Sequence, residues 1–101
     1  MKSITDIPAG FKNTTAIFMA LGDEHRQRIL LAFEKGEKLN IMQIVSTTTL
    51  SRTAVTHHLK VLHGAHVLNS EKIGKEVYFW INATTAVDAL QGVLNYIKNE
   101  T

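Results

Sequence analysis

The sequence predicts a mainly α-helical domain with a small β-hairpin, with its elements in the order α-α-α-α-β-β-α. Apolar residues recur at the three- and four-residue spacing of helices as far as Gly64 and again after Asn82. Between these stretches, two runs of β-branched and aromatic residues flank Gly74 and Lys75, which is typical of a hairpin. The chain has 101 residues, 45% of them hydrophobic, which is enough for one compact domain with its own core.

The first two predicted helices cover about residues 14–21 and 24–35. Each follows a residue whose side chain can accept a hydrogen bond from the first turn, Asn13 in one case and Asp23 in the other. Each is also followed by a glycine, which can adopt the left-handed conformation that ends helices: Gly22 and Gly36. The segment before them, residues 1–12, is predicted to be extended or frayed.

Two short helices joined by a tight turn are predicted between residues 40 and 64. Asn40 and Gln43 have the spacing of a capping box, and Ser51 can cap the second helix of the pair. The run between the helices, residues 46–49, is polar and β-branched, which disfavours a helix there. This arrangement is the signature of a helix-turn-helix.

A hairpin and a final helix complete the chain. The hairpin, residues 67–81, follows the predicted helix-turn-helix in the position of a wing, and its tip carries Lys72 and Lys75. The final helix covers about residues 84–98. These parts in this order predict a winged helix-turn-helix, with the whole chain, residues 1–101, forming a single domain.

The two faces of the fourth helix differ in chemistry. Val55, Leu59 and Leu62 share one apolar stripe that is predicted to be buried. The opposite face has no acid, and all its side chains can donate hydrogen bonds: Arg52, Thr53, Thr56, His57, Lys60 and His63. The major groove of DNA offers phosphates at its edges and acceptors on its floor, so this face fits it. The competing interpretation is an ordinary amphipathic surface helix, which would usually include Glu and Asp.

The residues predicted to bind DNA come from this helix and from the hairpin. They are Ser51, Arg52, Thr53, Thr56, His57, Lys60, Lys72 and Lys75. Between Ser51 and Lys75 the chain has four basic residues and one acid, Glu71, although its overall net charge is only +2. This distribution indicates a local surface for a polyanion, but the charges alone fit a solvated surface equally well.

Several stretches resemble the ArsR/SmtB family of winged-helix regulators, and together they span residues 16–98. They are Ala20-Leu21-Gly22-Asp23 with Arg26 and Arg28-Ile29-Leu30, the run from Leu50 to Leu62, and the hairpin with Gly74 and Val77-Tyr78-Phe79. The resemblance implies a dimer whose Arg52, Thr53, Thr56 and His57 read a palindromic operator. The family often has an amide at the position of Arg52 and a glycine at that of His66.

The first and last helices, residues 13–21 and 84–98, are predicted to form the dimer interface. In the last helix, apolar residues at i, i+3, i+7 and i+10 form a seam, and the first helix adds Phe18. The predicted dimerisation residues are Phe18, Val87, Leu90, Leu94 and Ile97. The resemblance also places these helices at a two-fold axis. The alternative is that the seam covers the core of its own subunit.

The usual sensor sites of the family are absent by residue type. The chain has no cysteine, which excludes disulfides, thiolate metal sites and thiol redox sensing. Where many relatives have a Cys-x-Cys metal site, this chain has Asn40, interpreted as a cap, and Met42, interpreted as a packing residue. The last helix has Asp88 but no histidine. We therefore expect no metal or other cofactor, and the input is a small molecule, a protein partner or the protein's own abundance.

Other function classes lack sequence support. The chain has no phosphate-binding loop, Ser-x-x-Lys or His-Glu-x-x-His motif, so we do not expect an enzyme. It also has no signal-peptide pattern and no apolar run of the ~18 residues that a membrane helix needs, so we expect a cytoplasmic protein without membrane contact.

The sequence thus predicts a sequence-specific regulator that binds double-stranded DNA, a dimeric repressor without metal or thiol sensing. One alternative is a protein-interaction module that uses the winged helix for docking and should expose apolar residues on the fourth helix. The other is a repressor that senses metal through histidines.

Overall fold

The computed structural model describes residues 1, 3–11 and 13–100. Its elements are a 3-10 turn at Ala9–Phe11, α1 at Thr14–Leu21, α2 at Glu24–Leu31, β1 at Leu39–Asn40, α3 at Ile41–Ser46, α4 at Arg52–Gly64, β2 at Leu68–Ile73, β3 at Glu76–Ile81 and α5 at Thr85–Glu100. This confirms the predicted mainly helical fold with its hairpin and final helix. β1 and the 3-10 turn are additional.

The three strands form one antiparallel sheet in the order β1-β3-β2. β2 and β3 pair along their whole length, from Leu68 opposite Ile81 to Ile73 opposite Glu76. β1 adds only two residues beside β3, and one of them, Asn40, is also the cap of α3. A strand this short has no recognisable period-two pattern, so the sequence analysis missed it.

The hydrophobic core lies between the helices and the base of the hairpin. Its largest fully buried side chains come from α1, α2, α3, α4 and β2: Ile17, Ile29, Ile44, Val55, Leu59, Leu62 and Leu68. The stripe predicted for the fourth helix is therefore confirmed as its buried face. Since this stripe anchors α4 on the core, the polar face is turned outward.

Three predicted caps are confirmed. Asp23 Oδ1 accepts from the Arg26 N–H over 3.1 Å, and Ser51 Oγ accepts from the Ala54 N–H over 3.1 Å. Asn40 and Gln43 form both bonds of the capping box. The Gln43 N–H donates to Asn40 Oδ1 over 2.9 Å, and the Asn40 N–H donates to Gln43 Oε1 over 2.8 Å. Each cap satisfies backbone donors that the first helical turn leaves without a partner.

Two predictions about the ends of α1 are wrong. Asn13 makes no side-chain capping bond and is itself left-handed, with φ of 65°, and Thr14 Oγ1 instead donates to the Phe11 carbonyl over 2.6 Å. Gly22 has φ of −80°, so it is not the left-handed residue that ends the helix. α1 joins α2 directly, because Asp23 already begins the next cap.

The second helix is shorter than predicted. It ends at Leu31, well before Lys35. A turn follows in which the Glu37 N–H donates to the Glu34 carbonyl over 3.0 Å, with Gly36 between them at φ of 74°. This turn leads the chain into β1, so pairing with the sheet overrides the local preference for helix.

Part of the N-terminal segment, Ala9–Phe11, forms a 3-10 turn that the sequence analysis did not predict. Its 3-10 turn packs on α5, where the Gly10 carbonyl lies so close to Gly92 that a side chain there would collide with it. Phe11 also places its ring edge-to-face with Tyr96, with 5.3 Å between the centroids. Gly92 inside a helix is explained by this close approach of two backbones.

α4 ends in a Schellman motif whose left-handed residue is His66. The Val67 N–H donates to the Leu62 carbonyl over 3.0 Å, and the His66 N–H donates to the His63 carbonyl over 3.0 Å. His66 has φ of 60°, a conformation that favours glycine. The helix ends at Gly64, between His63 and His66, as predicted.

We expect His66→Gly to raise the free energy of unfolding by about 0.5–1 kcal/mol, because glycine adopts a positive φ without the steric cost that other residues carry. Urea denaturation measures the change. Gly36→Ala is the matched control, because its φ is also positive and no atom lies within 4 Å of the added methyl group. That variant should be destabilised, and a loss of stability in His66→Gly would contradict the prediction.

Candidate nucleic-acid interface

The turn between α3 and α4 is held by hydroxyl groups. Ser46 Oγ donates to the Gln43 carbonyl over 2.6 Å, and Thr47 Oγ1 donates to the Ile44 carbonyl over 2.7 Å. The Ile44 carbonyl also accepts from the Thr47 N–H, so the hydroxyls add hydrogen bonds at the end of α3, where helical donors run out. They explain why the residues that end α3 and begin this turn are polar.

The outer face of α4 forms a shallow groove of about 350 Å³. It is lined by Arg52, Thr53, Thr56, His57 and Lys60. Thr56 is half-buried and the other four are exposed. Five of the eight residues predicted to bind DNA are therefore brought together in one concavity. Ser51 lies at its edge, exposed, with its Oγ serving as the cap.

Arg52 is oriented by a contact that the sequence did not indicate. Its Nη1 donates to Met42 Sδ over 3.2 Å. The interpretation of Met42 as a packing residue is wrong, because its side chain is 55% exposed. A thioether is a weak acceptor, so this contact directs the guanidinium without competing strongly against a base.

The other predicted DNA contacts lie at the tip of the hairpin. Lys72 and Lys75 are both exposed. Gly74 has φ of 64° and is the first residue of the two-residue turn between the strands. At the other side of the hairpin, the acid Glu71 lies 3.9 Å from Lys38 Nζ. This ion pair offsets the acid next to Lys72, and a second exposed acid, Glu76, follows Lys75.

The histidines occupy different surroundings. His57 is exposed in the lining of the groove, whereas His58 is half-buried and its Nδ1 lies 3.1 Å from Arg26 Nη1. His63 Nε2 lies 3.1 Å from Ser70 Oγ, which joins the end of α4 to β2. Within residues 1, 3–11 and 13–100, no group of three or more His, Asp or Glu side chains has a geometry for a metal ion.

One carboxyl group and one imidazole group near α4 have shifted pKa values. The backbone N–H of Arg26 is the main cause that lowers the pKa of Asp23, and the Arg26 charge adds to it. Burial is the main cause that lowers the pKa of His58 below its ordinary value of 6.5, while the Asp23 carboxylate opposes this shift. Both groups therefore favour the protonation states in which they accept a hydrogen bond.

The predicted dimerisation residues divide into two groups. Phe18, Val87, Leu94 and Ile97 are exposed, by 49%, 57%, 58% and 53% respectively. Leu90 instead packs partly against the core of its own subunit, next to the buried stripe of Ala86, Ala89 and Val93 on α5. Met19 adds a further exposed apolar side chain beside Phe18. α1 and α5 thus present apolar surface that their own core does not cover.

Comparison with known proteins places this chain in a family. The family described as "Bacterial regulatory protein, arsR family" matches residues 23–70, which include the whole helix-turn-helix. The transcriptional repressor SdpR of Bacillus subtilis is 30% identical over 82 residues, which are 81% of this chain and 90% of SdpR. This chain belongs to the arsR family of regulatory proteins. The cadmium resistance regulatory protein CadC of Listeria innocua is 27% identical over 83% of this chain and 71% of CadC.

Solved structures of transcriptional regulators share the fold. An ArsR-like transcriptional regulator from Rhodococcus sp. RHA1 superposes with a TM-score of 0.79, at 23% identity over 93% of this chain and 85% of that one. The transcriptional repressor PagR of Bacillus anthracis gives a TM-score of 0.64, at 25% identity over 82% of this chain and 93% of PagR. The winged helix-turn-helix fold is therefore confirmed.

The arsR-family assignment defines the general function. The protein is a DNA-binding transcriptional regulator, and its family is one of regulators and not of enzymes. Among the helices that the structure describes, none has the length and apolar character needed to cross a membrane.

Proposed function

We propose that this arsR-family regulator is a dimeric repressor that reads a palindromic DNA operator in the cytoplasm. The groove on α4 is the observation that carries the proposal. It gathers Arg52, Thr53 and His57 with no acid on its lining, as contact with phosphates and base edges requires. The lysines at the hairpin tip extend the basic surface. Relatives named as repressors support repression over activation.

The apolar surface on α1 and α5 supports the dimer. Phe18 and Leu94 are large apolar side chains about half exposed on a small domain. Contact with the same surface of a second copy would remove both from water around a two-fold axis. A two-fold dimer also explains why the operator would be palindromic, with half-sites about 10 base pairs apart.

A protein-docking role for α4 has less support. Within the described part of the chain, no large apolar side chain of α4 is exposed, although docking surfaces usually present several. The outward residues of α4 are hydrogen-bond donors.

Selection of bound duplexes from a random DNA pool distinguishes DNA recognition from protein docking. Recovery of one palindromic motif is expected, and the absence of any enriched sequence would contradict DNA recognition.

The residues at the usual metal-site positions have other uses here. Asn40 makes both bonds of its capping box, and Met42 accepts from Arg52. Together with the absence of cysteine, this supports a regulator without a metal or thiol input. The histidine-based metal sensor remains the alternative.

We expect Zn²⁺ at about one equivalent to leave the complex with the selected duplex intact, because a stable zinc site needs several converging N or S ligands. Fluorescence anisotropy of the labelled duplex measures release. Peroxide should also cause no rapid release. Stoichiometric zinc binding coupled to loss of DNA would instead establish the histidine-based sensor.

We expect Lys75→Ala to weaken the selected duplex and a scrambled duplex by similar factors, because a lysine at the hairpin tip binds phosphates and not bases. The slope of log affinity against log salt concentration should fall by about one unit, because the variant neutralises one phosphate fewer. Lys35→Ala is the matched control. Lys35 and Ile81 line the same surface pocket, and Ile81 lies at the opposite end of β3 from the hairpin tip. Lys35 is therefore far from the predicted phosphate contact. An unchanged slope in Lys75→Ala would contradict a phosphate contact.

A further inference from the structure

Arg26 is a nearly buried cation that belongs to none of the predicted contact sets. Its side chain is 13% exposed. Nε donates to the Ala20 carbonyl over 2.8 Å, and Nη2 donates to the Met19 carbonyl over 3.0 Å. Asp23 Oδ2 lies 3.9 Å from Nη1 and offsets the charge. Arg26 thus holds the last turn of α1, where the carbonyls lack helical donors.

The same guanidinium reaches the recognition helix. Nη1 lies 3.1 Å from Nδ1 of His58, in the middle of α4. A guanidinium has donors only, so Nδ1 must be the acceptor and must carry no proton. His58 is therefore neutral, with its hydrogen on Nε2. A bond from a cation to a neutral acceptor is stronger than an ordinary hydrogen bond.

This bond lies between the two surfaces on which the proposed function depends. On one side, Met19 and Phe18 are part of the exposed apolar surface of α1. On the other, His58 is adjacent to His57, which lines the groove of α4. A shift of Arg26 relative to His58 would change the angle between the dimerisation helix and the recognition helix.

We propose that Arg26 and His58 are positioning residues that set the orientation of α4 relative to α1, and that they do so only while His58 is neutral. This inference rests on the proposed function of the α4 groove. Neither residue lines that groove. Their hydrogen bond fixes the spacing of two recognition helices in a dimer, so it governs specificity for an operator more than attraction to phosphates.

Burial makes protonation of His58 costly, and four neighbouring groups modify that cost. Asp23, His25 and Arg26 face it from the start of α2, and His57 faces it from α4. The rings of His25 and His57 lie 5.8 and 5.7 Å from that of His58. A proton on Nδ1 would remove the acceptor and place two cations in contact. The Asp23 charge opposes this repulsion, so burial of the imidazole is the main reason that protonation is costly.

The direction of the pH effect follows from the lowered pKa of His58. The folded protein binds this proton less readily than the unfolded chain, whose histidine has its ordinary value of 6.5. Acid therefore favours states in which the hydrogen bond to Arg26 is broken. Operator specificity should be complete above pH 6.5, fall as the pH drops below it, and level off once His58 is protonated.

His58→Asn tests this directly. The Oδ1 of asparagine occupies nearly the position of Nδ1, accepts from Arg26 and does not titrate. The readout is the ratio of affinities for the selected duplex and a scrambled duplex of the same length, from about pH 8 down to the lowest pH at which the protein remains folded. In the wild type this ratio should fall about tenfold, the loss typical of one bond to a charged group. In His58→Asn it should stay constant.

His66→Asn is the matched control, because it makes the same substitution outside the groove, at a left-handed residue whose conformation asparagine tolerates, and keeps the bond between Arg26 and His58. It should lose specificity in acid as the wild type does. Arg26→Lys is the second variant, since a single ammonium cannot hold both carbonyls and His58. At pH 8 the ratio of affinities for the selected and scrambled duplexes should be about tenfold lower in Arg26→Lys than in the wild type, and it should vary little with pH.

Three results would overturn the inference: a flat wild-type profile, a His58→Asn profile that follows the wild type, or a pH response in Arg26→Lys equal to the wild type. Thermal unfolding of each variant at both pH values confirms that the compared proteins are folded. If selection enriches no duplex, the proposed function fails. If selection enriches a duplex but the wild type and the variants have the same pH profile, only the positioning role of Arg26 and His58 fails.

Discussion

Leu94→Glu is expected to yield folded monomers that no longer bind the operator tightly. Leu94 is 58% exposed, so its own core loses little when it is replaced. In a two-fold interface the new carboxylate would lie near its symmetry mate, buried and without a compensating cation. The DNA-contacting residues of each subunit would be intact, but a single recognition helix makes too few contacts for tight binding.

Sedimentation equilibrium at micromolar concentration measures this result, with anisotropy on the selected duplex beside it. Asn95→Glu is the matched control, because it adds the same charge at the next position, about 100° round the helix. It should remain dimeric and bind DNA. A wild type that sediments as a monomer would contradict the dimer, as would a monomeric Leu94→Glu that binds the full palindrome tightly.

Arg52→Ala is expected to reduce affinity for the selected duplex by about 1–3 kcal/mol, and affinity for a scrambled duplex by much less. Arg52 lies in the first turn of α4, where side chains of a recognition helix reach base edges. Its bond to Met42 holds the guanidinium at the groove. An arginine can bind guanine through two parallel hydrogen bonds, and alanine forms neither.

Lys60→Ala provides the contrast on the same face of α4. Lys60 is exposed further along the helix and should contact phosphate, so its removal should weaken both duplexes alike. Competition titrations at one salt concentration separate the two outcomes. Equal losses on both duplexes in Arg52→Ala would mean that Arg52 contacts only phosphate. No loss on either would remove this helix from the interface.

Features that depend on near neighbours in the sequence were predictable. The caps at Asp23, Asn40 and Ser51 each join residues three apart, so the residue types and their spacing suffice to identify them. The apolar stripe of α4 follows from helical periodicity in the same way. Because that stripe defines the inner face, the composition of the outer face was also predictable, and with it the residues that line the groove.

Other features depend on segments that are distant in the sequence. Leu90 shares the spacing of the exposed seam but packs partly on the core, which only the position of α5 decides. The hydrogen bond between Arg26 and His58 joins residues 32 positions apart, and no local pattern marks either as its partner.

The sequence by itself determined the order of the helices and the hairpin, the caps at Asp23, Asn40 and Ser51, and the chemistry of the two faces of α4, because these follow from bonds and periodicities within a few residues. Only the tertiary structure decided where α2 ends, that β1 exists and that Gly92 meets Gly10. Those outcomes arise when separate segments compete for the same space and the same backbone hydrogen bonds. Long-range packing then outweighs local preferences that differ by less than about 1 kcal/mol per residue.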